Sequence, residues 1–97
     1  MGLFGNLFGS SDDAGKAIEA GALKIDVRSK GEFANGHGKG WRNIPLDEVR
    51  SHAAELKKAG KPVVLCCASG VRSGRATSIL KKEGIEAYNA GSWKSWV

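Results

Sequence analysis

A chain of 97 residues with 41% hydrophobic and 26% charged residues has the length and balance of one soluble globular domain with a single modest core, and it excludes two cores. No stretch reaches the roughly 18 apolar residues of a spanning helix. The net charge of +5 comes from scattered lysines and arginines without a basic run interleaved with aromatics, so it argues against a nucleic-acid surface and leaves a mild attraction for small anions.

Residues 1–97 are therefore expected to form one monomeric domain, with residues 1–12 as a short apolar extension. The opening "MGLFGNLFGS" has no basic n-region and no small-residue cleavage site, which predicts a cytoplasmic protein. It begins Met-Gly, but Asn6 stands where a myristoylation signal wants Ser or Thr. Leu3, Phe4, Leu7 and Phe8 are expected to pack on the domain as a short amphipathic element, with weak attachment to a surface or partner as the alternative.

"SSDDAGKAIEAG" follows, with cap candidates Ser10 and Ser11, acids in the first turn and Gly21 as a stop, and predicts a short helix. "ALKIDV", residues 22–27, predicts a buried strand. A second helix is predicted from Leu46, with Val49, Ala53 and Leu56 on one face, Lys57 and Lys58 in the last turn and Gly60 at the exit. "PVVLCC" is a continuous apolar run of strand length bounded by Pro62. "RSGRATSILKKEG" predicts a third helix through Ala76, Ile79 and Leu80, ended by Gly84. "IEAYNA" has the look of an edge strand, and "GSWKSWV" of a terminal turn or short helix. Strands alternating with amphipathic helices predict an α/β fold: an open, mostly parallel sheet of about four to five strands with helices on both faces.

The chemistry concentrates at one turn. Ligands of such folds sit beyond the carboxyl ends of the strands, facing helix N-termini, and Cys66 and Cys67 stand at that end. Ala68, Ser69, Gly70 and Val71 are compact residues whose amides can curl around an anion, with Gly70 supplying the conformational freedom. A cysteine at the mouth of this cradle, near a helix N-terminus and Arg72, is expected to favour thiolate and to act as a nucleophile without a histidine base. The two cysteines are adjacent, so a structural disulfide between them is implausible. Neither His37 nor His52 is spaced to join them in a zinc site, and no metal or cofactor is expected. His37 is expected to make a loop hydrogen bond and His52 to lie exposed on its helix; Trp41, Trp93 and Trp96 are expected to pack, with Trp41 or Trp93 at the pocket mouth as the alternative.

Four segments, "IDVRSKGEF", "NGHGKGWRNIPLDEV", "KPVVLCCASGVRSGRATSIL" and "NAGSWKSW", together resemble the single-domain rhodaneses, a family of sulfurtransferases. The resemblance runs from about Ala22 to the C-terminus. It implies the rhodanese fold and a six-residue active loop that begins with the catalytic cysteine, here Cys67, continues through Ala68, Ser69, Gly70 and Val71, and is closed by Arg72 and Ser73. Asp26 and Arg28 match the family's Asp-Val-Arg segment, which implies a structural brace beneath the loop. It also implies a small anionic sulfur donor such as thiosulfate, an acceptor that is cyanide, a thiol or a protein, and a Cys67 persulfide between them. Arg72 is expected to brace the loop through carbonyls or an acid, and Ser69 and Ser73 to donate hydrogen bonds. Departures from the family pattern lie at Ala68, where a basic or polar residue is common, at Gly38, Lys39 and Trp41, and at Ser92 in place of a glycine.

A rival chemistry starts from Cys66. Five residues separate it from Arg72 and four separate Cys67 from Arg72, so "CCASGVRS" also satisfies the cysteine-phosphatase signature, with a loop one residue longer that serves phosphatases and arsenate reductases. A phosphatase needs an acid for the leaving oxygen, and the last aspartate, Asp47, precedes the loop. That gap and the family register both favour Cys67. Cys66 is expected to be buried, alternating away from Cys67 along the strand, with a resolving thiol as the alternative. A non-catalytic rhodanese-like binding module is the third possibility.

Overall fold

A computed structural model describes residues 11–97; the predicted amphipathic element at Leu3 to Phe8 and the cap candidate Ser10 lie outside the described residues. Helix α1 (Ser11–Glu19) takes in residues 11 and 12 of the predicted extension and leads into strand β1 (Leu23–Asp26). Helix α2 (Lys30–Ala34), strand β2 (Arg42–Asn43), helix α3 (Leu46–Ala59), strand β3 (Val63–Cys67), helix α4 (Val71–Lys82), strand β4 (Ala87–Ser92) and a terminal 3-10 helix (Trp93–Trp96) complete the chain. The strands form one parallel sheet in the order β2-β1-β3-β4. Among the described residues no helix is long and apolar enough to cross a membrane.

The two faces of the sheet carry different layers. Val49, Ala53 and Leu56 of α3 and Ala76 and Leu80 of α4 pack with Ile25, Val63, Leu65 and Cys67 on one face. Ala14 and Ala17 of α1 pack with Val64, Cys66, Ala90 and Trp41 on the other. All five residues of β3 are buried, as expected of a strand covered on both sides, and each large aliphatic side chain removed from water contributes about 1.5–3 kcal/mol. Gly60 ends α3 in the left-handed region at φ 68°, where glycine carries no Cβ penalty.

Several boundaries differ from expectation. The third predicted helix starts one residue earlier, at Val71, and the edge strand runs two residues further, through Gly91 and Ser92. That extension follows a register shift between Leu65 and Cys66: Leu65 pairs with Asn89 and Cys66 with Gly91, so Ala90 is an extra residue on β4. Such a bulge needs an accommodating backbone, and Gly91 provides it at φ 76°. Helix α2 and the two-residue β2 are additions that the hydrophobic pattern does not predict. Ser29 and Glu32 form a reciprocal capping box on α2: the Glu32 N–H donates to Ser29 Oγ at 3.2 Å and the Ser29 N–H donates to Glu32 Oε1 at 2.9 Å.

Candidate active site

Strand β3 delivers the two cysteines to opposite faces because successive side chains on a strand alternate. Cys67 Sγ lies on the floor of the turn between β3 and α4, with no exposed surface. The Gly70 N–H donates to it at 3.0 Å and the Ser73 hydroxyl lies 3.3 Å away. Burial alone raises a thiol; against it stand the Ser73 hydroxyl and the amides of Ser73, Ser69 and Gly70, and together these donors hold the Cys67 thiol below its ordinary range. The turn forms as the sequence suggests: Gly70 sits at φ 103° immediately before α4, a conformation that strains any side-chain-bearing residue, and Ala68 and Ser69 form an exposed rim.

Cys66 has the opposite environment. It is buried on the α1 side and pairs in register with Asp26. Burial, and after it the Asp26 carboxylate, push its thiol up. The longer loop counted from Cys66 therefore begins at a sulfur that faces the other layer. The two cysteines are free thiols.

The remaining loop positions divide by role. Ser69 contributes its amide to the sulfur. Val71, expected within the loop, is instead the first residue of α4, and its side chain is 65% exposed. Arg72 pairs with an acid: its Nη1 and Nη2 donate to Glu32 Oε1 and Oε2 at 2.7 and 3.0 Å. The fork-to-carboxylate geometry fixes both planes. Glu32 thus caps α2 and anchors Arg72 with one carboxylate, which the Arg72 side chain first and the Ser29 amide next hold down at about 2.

Asp26 and Arg28 form a buried bidentate pair, with Arg28 Nε 3.0 Å from Asp26 Oδ1 and Nη2 2.8 Å from Oδ2. Arg28 donates onward to the carbonyls of Glu32 and Gly36, at 3.3 and 2.7 Å, and lies 4.3 Å from the Trp93 ring centroid. Its bracing therefore reaches the loop through α2 and Glu32.

Asn89 is the functional-site neighbour that sequence reasoning missed. Its Nδ2 donates to the Gly70 carbonyl at 3.0 Å and its Oδ1 accepts from the Gly91 N–H at 3.0 Å, which fixes the amide's orientation. Oδ1 also lies 2.7 Å from Ser73 Oγ. A hydroxyl has one proton, so Asn89 Oδ1 and Cys67 Sγ compete for that of Ser73. A Cβ on Gly74 would come within 3.3 Å of Asn89 Nδ2, so the glycine makes room for the contact.

The histidines and tryptophans make contacts within the fold. His37 stacks on Phe33 at 3.7 Å and its Nδ1 lies 2.7 Å from the Phe33 carbonyl; His52 is half-buried on α3, 3.1 Å from Glu55. Two departures from the family pattern turn out to be one feature. Trp41 is buried, and a Cβ on Gly38 would stand 2.6 Å from its ring, so the bulky indole is admitted by the glycine three residues before it. Trp41 and Trp96 pack 6.2 Å apart.

The sequence model of the rhodanese-like domain family matches residues 10–97. The chain is 47% identical over 77 residues to YqhL of Bacillus subtilis (strain 168), covering 77% of this chain and 60% of that protein. It is 36% identical over 72 residues to the thiosulfate sulfurtransferase PspE of Escherichia coli (strain K12), covering 72% of this chain and 69% of that one. A solved rhodanese with anions from E. coli superposes with a TM-score of 0.68 at 35% identity, over 75% of this chain and 88% of that chain.

Proposed function

The chain belongs to the rhodanese-like domain family, and on that footing we propose that residues 1–97 act as one sulfurtransferase domain, moving a sulfane sulfur from a donor such as thiosulfate to a thiophilic acceptor through a Cys67 persulfide. The observation that carries this is the charge balance at one sulfur. Cys67 Sγ ends a buried strand, receives the Gly70 amide at 3.0 Å and has the Ser73 hydroxyl at 3.3 Å, while its neighbour Cys66 is pushed the other way.

In the first half, the Cys67 thiolate attacks the outer sulfur of thiosulfate. A sulfur–sulfur bond forms to Cys67, the bond to the sulfonate sulfur breaks, and sulfite leaves with that electron pair. The persulfide anion carries its charge on the outer sulfur, where loop amides can meet it. In the second half cyanide attacks that outer sulfur, thiocyanate leaves, and the pair returns to Cys67 as thiolate. A thiolate acceptor does the same and departs as its own persulfide. Both leaving groups are stable anions, so no protonating acid is required. Arg72, Asp26 and Arg28 hold the loop in place, and Ser69, Gly70 and Ser73 solvate the sulfur; Ala68 leaves the rim open with little side chain to bind the donor.

The test is thiocyanate formation from thiosulfate and cyanide, beside an aryl phosphate control. Cys67→Ser abolishes both thiocyanate release and the gain of one sulfur atom in intact mass after donor treatment, while Cys66→Ser keeps both. Loss with Cys66→Ser and phosphate release from the control would instead favour the longer loop. An inert wild-type protein would favour a binding module.

A further inference from the structure

At the carboxyl end of the sheet, beside the loop, lies a cavity of about 550 Å³, the size of a small-molecule site. Val27, Leu46 and Ile79 form its apolar floor, and all three belong to or pack against the apolar cluster that contains Cys67. Arg50 of α3 and Arg72 and Arg75 of α4 stand around it with one acid, Asp47. Arg72 is held by Glu32, and among the described residues Arg50 and Arg75 make no ion pair. Two unneutralised guanidiniums therefore face a single carboxylate across an apolar floor.

These features select a ligand with two parts. A compact inorganic anion meets the guanidiniums but gains nothing from the floor, and a neutral thiol fills the floor but leaves the charges unmatched. Arg72 links the cavity to the sulfur, since its side chain lines the cavity while the next residue of α4, Ser73, holds its hydroxyl 3.3 Å from Cys67 Sγ. We infer that this cavity seats the sulfur acceptor and that the acceptor is a small thiol with an anionic tail on an apolar stem, an assignment that rests on the sulfurtransferase function proposed above. The acceptor thiol loses its proton to solvent, its thiolate attacks the outer sulfur of the Cys67 persulfide, the sulfur–sulfur bond to Cys67 breaks with its electron pair left on Sγ, and the acceptor leaves as a persulfide.

The experiment starts from protein loaded with sulfur by thiosulfate and freed of donor. Its discharge is timed with 6-mercaptohexanoate and with 6-mercaptohexan-1-ol, probes with the same stem and thiol that differ in the charged tail. At low ionic strength the carboxylate probe reacts faster by about fivefold, as expected for partly exposed charge pairs. The preference disappears at high salt and in the Arg50→Glu/Arg75→Glu variant. Equal rates in the wild type, or a preference that survives the charge reversal, overturn the assignment while discharge by cyanide leaves the sulfurtransferase function standing. Failure to load any sulfur on Cys67 overturns both.

Discussion

Ser73→Ala isolates the contest for one proton. Ser73 is fully buried, and its Oγ lies 3.3 Å from Cys67 Sγ and 2.7 Å from Asn89 Oδ1. When the sulfur is a thiolate the hydroxyl donates to it; when the sulfur is a thiol the hydroxyl donates to Asn89 and the S–H donates to Oγ. A hydrogen bond to a charged acceptor contributes about 1.5–3 kcal/mol, and competition from Asn89 places this one at the lower end. The three amides remain in the variant, so the expected loss is about 1.4 kcal/mol, a tenfold fall in thiolate population below the titration midpoint. The assay is the rate of Cys67 alkylation by iodoacetamide against pH, in a Cys66→Ser background that leaves one thiol. Asn89→Ala frees the proton for sulfur and speeds alkylation while Ser73 is in place. Combined with Ser73→Ala it has no proton to release and the gain vanishes. An alkylation profile unmoved by Ser73→Ala, or an Asn89→Ala effect of equal size with and without the hydroxyl, would refute the shared proton and reduce Asn89 to a brace for the Gly70 carbonyl.

Gly70→Ala forces a Cβ into the left-handed region at φ 103° and to 3.4 Å from Gly91 Cα; it is expected to cost about 1–2 kcal/mol, lowering Tm by roughly 4–8 °C for each kcal/mol, with a larger fractional loss of thiocyanate formation because the Gly70 amide turns away from the sulfur. Glu32 has its carboxyl lowered from 4.5 to about 2, so the stability its pairing contributes is fully present above 4.5 and is lost as pH falls towards 2. Its side chain is 39% exposed, and after solvent screening the pair is worth about 0.5 kcal/mol. Glu32→Gln, which keeps the cap and removes the charge, is therefore expected to lower stability to urea by that amount at neutral pH, with the difference from wild type shrinking as pH falls from 4.5 towards 2.

The parts of the fold legible in the sequence are those whose signal is local. Val63 to Cys67 read as a doubly covered strand because every position is apolar, and the Val49, Ala53, Leu56 stripe places α3 at helical spacing. Helix α2 carries no such stripe; its five residues rest on the Ser29–Glu32 box, a four-residue signature present in "SKGE" and easily passed over beside Gly31. Glu32 and Arg72 stand 40 positions apart, and Ser73 and Asn89 16, so neither pairing has a periodicity to betray it. Asn89 reaches the loop next to a bulge at Ala90, and a bulge breaks the period of two by which strand faces are assigned. Gly38 and Trp41 each stand out as exceptions, yet their mutual dependence exists only in the folded packing.

Which of the two sulfurs meets the loop donors follows from the pleat more than from the loop. Adjacent residues on β3 must face opposite layers, so the strand cannot present both thiols to the same donors. Cys66 meets Asp26, itself committed to Arg28, and a thiolate there would add a second buried anion beside the first. Cys67, one position on, meets amides released at the start of α4, which have no partner within the helix. A slip of β3 by one residue would exchange the two environments and move Leu65 from the α3–α4 core to the opposite face. The apolar packing of Val63, Leu65 and Cys67 against α3 and α4 resists that slip, so the same burial that stabilises the domain selects which cysteine meets the loop amides.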